Sequence, residues 1–172
     1  MNDTQPAPIH LRAGGTSLVV AVDGGRLPRI LHWGPDLGDL DDAALAGLQR
    51  AALPAIGDSA VTYPQPVPVL PQLAEGWLGR PGLAGDGDGR RWAPYFRQAT
   101  HETAQTADGG VLRSHARDPE FGLAVDVEIQ VLAGSGLVRQ RATLRNDAAE
   151  PYRLTSLERR CPCRRTPRRS ST

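Results

Sequence analysis

The sequence predicts a mainly β protein, an antiparallel β-sandwich with one short helix and a long Pro/Gly-rich loop. Three observations carry that prediction. Short β-prone runs recur between turn signals every 8–12 residues. Leu123, Val125, Val127, Ile129 and Val131 alternate with Ala124, Asp126, Glu128 and Gln130, a period of two that places an apolar set on one strand face. Only one stretch, near residues 41–52, carries apolar residues at helical spacing. The chain has 172 residues, enough for one well-buried domain. It shows no internal repeat.

Taken in order, Ile9–Ala13 and Ser17–Val22 read as strands joined at Gly14-Gly15. Asp23-Gly24-Gly25 is a turn, after which the run resumes at Arg26 and reaches His32-Trp33-Gly34. Leu40, Ala44, Leu48 and Ala51 then predict a helix, with Asp41-Asp42 suited to its positive N-terminal end. Residues 53–94 hold seven of the fifteen prolines and read as one long irregular section. Tyr63, Trp77 and Trp92 argue that this section is ordered, because disordered segments are poor in aromatics. Gly85-Asp86-Gly87-Asp88-Gly89 reads as a flexible tip. Beyond it, Tyr95–Gln105 and Val111–Arg117 form strands around Asp108-Gly109-Gly110, and Asp118-Pro119 turns the chain into Leu123–Val131. Ala133-Gly134-Ser135-Gly136 closes a hairpin onto Leu137–Asn146, where Arg139 or Arg141 is expected opposite Asp126 or Glu128. Tyr152–Leu157 begins a further strand.

The formal net charge of +1 hides an asymmetry. All twenty basic residues are Arg, and six of them lie in residues 159–172, where there is no acid. Without those six the balance is 14 basic against 19 acidic residues, a net of −5, which gives the body no nucleic-acid footprint. Cys161 and Cys163 are the only cysteines, so the body has no disulfide, and Cys-x-Cys without further ligands does not complete a zinc site. Residues 1–7 and 159–172 are expected to be disordered, leaving 8–158 as the domain. The Arg-rich tail reads either as a basic arm for nucleic acid or anionic lipid, or as a non-native C-terminus of the kind a reading-frame shift yields; the second is favoured. No apolar run approaches the ~20 residues a bilayer span needs, and Met1–Pro8 lacks a signal-peptide pattern, which predicts a cytoplasmic protein without a membrane partner.

No catalytic constellation stands out. His10, His32, His101 and His115 are dispersed, with no metal-ligand spacing, and read as strand-surface or packing residues. There is no nucleophile elbow, and Gly79-Arg80-Pro81-Gly82 lacks the Lys-Ser/Thr of a phosphate loop. Asp86 and Asp88 read as solvated turn acids. No cofactor and no metal is expected. The segment Trp77–Gly85 is different, because a loop that only connects needs no Trp. Trp33 and Trp77 have two readings: core packing, or aromatic stacking on a carbohydrate or an interface beside Arg80.

Leu31-His32-Trp33-Gly34-Pro35-Asp36-Leu37-Gly38, Pro66-Val67-Pro68-Val69-Leu70-Pro71, Gly76-Trp77-Leu78-Gly79-Arg80-Pro81-Gly82-Leu83-Ala84-Gly85 and Trp92-Ala93-Pro94 occur in that order. Together with the hairpin strand Gly136–Asn146 they resemble the N-terminal domain of bacterial α-galactosidases of glycoside hydrolase family 36, over about residues 8–158. The resemblance implies a supersandwich-like β domain that precedes a (β/α)₈ barrel. It also implies retaining cleavage of terminal α-linked galactose, by two Asp residues carried on the barrel. No acid of this chain inherits either role. The N-terminal domain would pack on the barrel, make oligomer contacts and help shape the galactoside pocket, with Trp33, Trp77 and Arg80 as its candidate contacts. The expectation is thus a truncated enzyme, inactive by itself. The alternative is a free-standing carbohydrate-binding or interaction module. Two departures from the family pattern flank the Trp77 loop: Gln72-Leu73-Ala74 stands where a Glu-His pair is frequent, and Asp86-Gly87 where His-Arg is frequent.

Overall fold

A computed structural model describes residues 6–53 and 66–161. Tyr63 and the tail beyond Cys161 lie outside the described residues, as do the expectations placed on them. Two sheets face each other across one core. The first is three-stranded, in the order β1 (Ile9–Ala13), β2 (Thr16–Ala21), β3 (Arg29–Pro35). The helix α1 (Asp42–Ala51) follows it, and then β4 (Leu83–Asp86). The second sheet is four-stranded and antiparallel throughout: β5 (Arg97–Thr106), β6 (Gly109–Asp118), β7 (Leu123–Leu132), β8 (Val138–Asn146). The last strand, β9 (Arg153–Leu157), pairs with β4 as a two-stranded ribbon. The fold is the antiparallel sandwich that the sequence predicts.

The alternation in β7 sets the layers. Leu123, Val125, Val127, Ile129 and Val131 are all 1% exposed or less and point at the first sheet, where Leu11, Leu18 and Val20 meet them. Val69, Leu70 and Phe96 from connecting segments and Leu83 from β4 close the same cluster. Burial of this apolar set is the main favourable term for the domain. The helix begins where Asp41 caps it, its carboxylate accepting the Ala44 amide at 2.8 Å. Its Gln49 is buried and donates to Asp23 at 2.8 Å, tying the helix to the turn before β3.

The described part of the proline-rich section, residues 66–94, is more ordered than a loop. It contains a 3-10 turn at Leu73–Glu75 and the strand β4, which pairs with β9 through a bulge at Ala84/Gly85. The Gly85–Gly89 tip is likewise a closed turn. Gly87 and Arg90 exchange two backbone hydrogen bonds, and Asp86 accepts the Gly89 amide at 2.9 Å and pairs with Arg153 at 2.8 Å. The cross-strand expectation for β7 and β8 holds in register, with Arg141 opposite Glu128. All four histidines lie within strands. Among the described residues no helix is long and apolar enough to cross a membrane.

Candidate functional site

Of the three residues singled out in the sequence, two come together. Trp77 is half-buried, and its indole Nε1 donates to the Arg80 carbonyl at 2.9 Å, which closes the loop on itself. Gly79 permits this: a Cβ there would lie 2.6 Å from the indole ring. The Arg80 guanidinium turns outward and pairs with Glu158 at 2.5 Å. The Arg160 guanidinium lies 5.0 Å from the centre of the Trp77 ring, within cation–π range. Two backbone hydrogen bonds fix the segment that supplies these partners, from the Glu158 amide to Gly82 and from the Arg160 amide to Val69, both at 2.7 Å.

Between Trp77 and Gly79 this braced loop holds out Leu78, which is 96% exposed. From behind, Gln72 anchors the loop. Its buried side chain accepts the Phe96 amide at 2.6 Å, and its Nε2 reaches the Phe96 carbonyl at 3.4 Å. Trp92 follows in the same section and is 62% exposed, the largest exposed aromatic among the described residues.

Trp33 stands elsewhere. It lies in β3 opposite Leu18 and packs against the core cluster. Among the described residues no hydrogen bond, ion pair or ring contact joins it to Trp77 or Arg80. Packing is therefore the role its surroundings give it.

Two other polar arrangements bear on chemistry. The first is a Ser–His–Asp trio in the first sheet. Ser17 Oγ donates to Asp36 at 2.9 Å, so His10, also 2.9 Å from Ser17, must donate to that oxygen. The proton order is the reverse of an activated serine, and Ser17 is fully buried. The hydrogen bonds from Arg12 and then Ser17 hold the Asp36 carboxyl well below the usual carboxylate range, while Arg12 also pairs with Asp39. Burial, and then Arg12, push His10 down.

The second arrangement is a groove of about 360 Å³ on the outer face of the four-stranded sheet. Its polar walls include Glu102, Arg113, His115, Asp126, Glu128 and Arg141. Arg113 holds Glu128 at 3.0 Å and His115 holds Asp126 at 2.6 Å. Asp126 and Glu128 stand two residues apart on one strand, each held by a basic side chain, Arg145 near the first and Arg113 at the second. They do not oppose each other across a cleft as glycosidase carboxylates do. Among the described residues no group of His, Cys, Asp and Glu could hold a metal ion.

The sequence reading missed Leu78, Gln72 and the pairing of Glu158 and Arg160 with the loop. The partners are about eighty residues apart, and no local pattern links them.

The sequence matches the profile of the glycosyl hydrolase family 36 N-terminal domain over residues 26–162. A comparison with curated proteins finds no match. Among solved structures, the fold is similar to that of the GH36 α-galactosidase AgaA A355E from Geobacillus stearothermophilus in complex with 1-deoxygalactonojirimycin. That match has a TM-score of 0.68 at 17% identity and covers 88% of this chain and 24% of the other. AgaB from the same organism gives 0.65 at 17% identity, covering 92% and 24%. The α-galactosidase from Lactobacillus brevis gives 0.64 at 15% identity, covering 88% and 23%. At these identities the likeness is one of fold, and the chain spans about a quarter of the length of the enzymes it matches.

Proposed function

The chain belongs to the glycosyl hydrolase family 36 N-terminal domain family, and on that premise we propose that it is the non-catalytic sandwich of an α-galactosidase acting on terminal α-linked galactose. In this reading the sandwich packs on a catalytic barrel. The Trp77–Arg80 loop makes that contact and shapes the rim of the galactoside pocket, and Trp33 serves packing. No acid of this chain acts in catalysis. A cytoplasmic setting is part of the same proposal, supported by a body without cysteine.

The observation that carries the reading is Leu78. An apolar side chain 96% exposed costs free energy in water, yet both its flanks are braced by Trp77, Arg80, Glu158 and Arg160. A rigid loop that presents an apolar side chain is preorganised for burial against a partner. Trp92 adds a second exposed apolar group, from a residue that follows the same loop in sequence.

The test uses the purified chain and a separately produced barrel of a family 36 α-galactosidase. The chain alone is expected neither to cleave a chromogenic α-galactoside nor to bind galactose, followed by Trp fluorescence. It is expected to bind the barrel, with Leu78→Asp weakening that binding about tenfold or more while the melting temperature stays put, because the site is solvent-exposed. Turnover by the chain alone, or barrel binding indifferent to Leu78→Asp, refutes the proposal. Galactose binding without turnover makes the chain a free-standing carbohydrate-binding module instead.

A further inference from the structure

We propose that the free edge of β8 receives an added strand from another polypeptide, an extended segment in which acidic and apolar residues alternate. The inference stands on strand pairing and is independent of the loop at Trp77. β8 closes one side of the four-stranded sheet and pairs with β7 alone. Its nine residues, Val138–Asn146, keep register with β7 without a bulge, so its other side is a regular row of backbone amide and carbonyl groups. Among the described residues no backbone hydrogen bond occupies that side. Gln140 Nε2 reaches the Arg160 carbonyl at 3.5 Å, but through its side chain.

The opposite edge of the same sheet is blunted. β5 carries a bulge between Arg97 and Thr100, and Gln98 within it has φ +58°. The Ala99 amide is already taken by the Gly25 carbonyl at 2.7 Å. A bulge twists an edge away from further pairing, which leaves β8 as the receptive side.

The side chains of β8 define what the added strand carries, because paired strands set side chains of the same face side by side. On the outer face β8 presents Arg139, Arg141, Thr143 and Arg145, all exposed, and no acid. The acids of that face, Glu102, Asp126 and Glu128, lie on β5 and β7. Arg141 has no ion pair among the described residues, and Arg139 and Arg145 pair with acids no closer than 3.6 Å. On the inner face Val138, Ala142 and Leu144 pack against the core cluster yet stay half-buried, as side chains of an edge strand do. An incoming strand gains most by setting carboxylates beside the arginines, at alternate residues about 6.8 Å apart, and small apolar side chains beside Val138, Ala142 and Leu144. The same arginines oppose pairing with a second β8, so the edge selects a strand of opposite charge.

The probe is a synthetic peptide as long as β8, nine residues of alternating Glu and Val, added to the full chain. Saturable one-to-one binding that added salt weakens is expected. Hydrogen exchange is the deciding readout. With peptide at about ten times its Kd, the β8 amides not bonded to β7 should exchange about tenfold more slowly. A peptide of the same composition in two blocks, all Glu then all Val, keeps the charge but loses the alternation and should bind about tenfold more weakly or worse. Arg141→Glu should weaken the alternating peptide about fivefold or more, with thermal melts verifying that the variant is folded. Replacing Arg164, Arg165, Arg168 and Arg169 with Gln should leave its binding within about twofold, since the contact lies on the sheet and not on the basic tail. No binding, binding that leaves the β8 amides unchanged, a block peptide bound as tightly, indifference to Arg141→Glu, or binding lost with the tail arginines overturns the proposal.

Discussion

Replacing Gln72 with Ala tests the link between the sandwich core and the braced loop. Gln72 is 4% exposed, and it holds the backbone of Phe96, a residue that is itself 1% exposed. The variant leaves the Phe96 amide buried without an acceptor, at a cost of about 1–3 kcal/mol. One buried methylene is also lost, about 0.8 kcal/mol. Against this, the Gln side chain no longer has to be ordered, which returns up to about 1.5 kcal/mol. The bond from Gln72 Nε2 to the Phe96 carbonyl is long, at 3.4 Å, and adds little. The net is a loss of about 1.3 kcal/mol, or about 3–5 °C in melting temperature for a domain of this size. Thermal melts read the total, and native-state hydrogen exchange at the Phe96 amide reads the cause, since that proton should exchange faster in the variant. A melting temperature lowered by less than about 1 °C, or unchanged exchange at Phe96, would refute the reasoning.

Three further variants probe the frame, the half-buried histidines and the Asp36 ion pair. Gly136 has φ +64°, and a Cβ there would sit 2.4 Å from Thr16 Oγ1 and 2.5 Å from the Gly14 carbonyl, so Gly136→Ala should cost at least about 2 kcal/mol by urea unfolding with an unchanged m-value. Burial pushes His10 and His101 down, so the folded chain keeps them neutral; stability should fall as the pH drops below about 6.5, where the unfolded chain takes up their protons, and His101→Gln should reduce that slope in melts across pH. Asp36 is held down by Arg12 and Ser17, so its contribution is present above about pH 4 and lost as the pH falls below that; Asp36→Asn should flatten the acid limb of the same melts.

The elements that proved legible in the sequence are those whose signal is local. The period-two run of β7, the cap at Asp41 and the Asp23-Gly24-Gly25 turn each act within a few residues, and each stands within a residue or two of where it was expected. β4 was not legible. Four residues, Leu-Ala-Gly-Asp, carry no usable alternation, and the ladder that makes them a strand comes from Leu157, Ser156, Leu154 and Arg153, about seventy residues later. The bracing of the Trp77 loop has the same origin, because it depends on where β9 delivers Glu158 and Arg160.

Trp33 shows a different limit. A strict period of two would set Ile30 and Trp33 on opposite faces of β3, leaving a Trp free to face outward. The ladder instead skips a residue: Leu18 pairs with Trp33, Val19 with His32 and Val20 with Ile30, so Leu31 is the extra residue of a bulge. The bulge reverses the parity between Ile30 and Trp33, and both pack against the core. A bulge is a property of two strands at once, since it records how β2 and β3 fit each other. From one strand's pattern alone, Trp33 and Trp77 were equivalent candidates. Pairing separates them: the first is drawn into the sandwich by a single extra residue. The second stays at the surface because Gly79 lets its ring fold onto the loop and Arg160 approaches it from a distant segment. Which of the two aromatics packs on the core therefore follows from long-range pairing, which is the level at which single-sequence patterns carry least information.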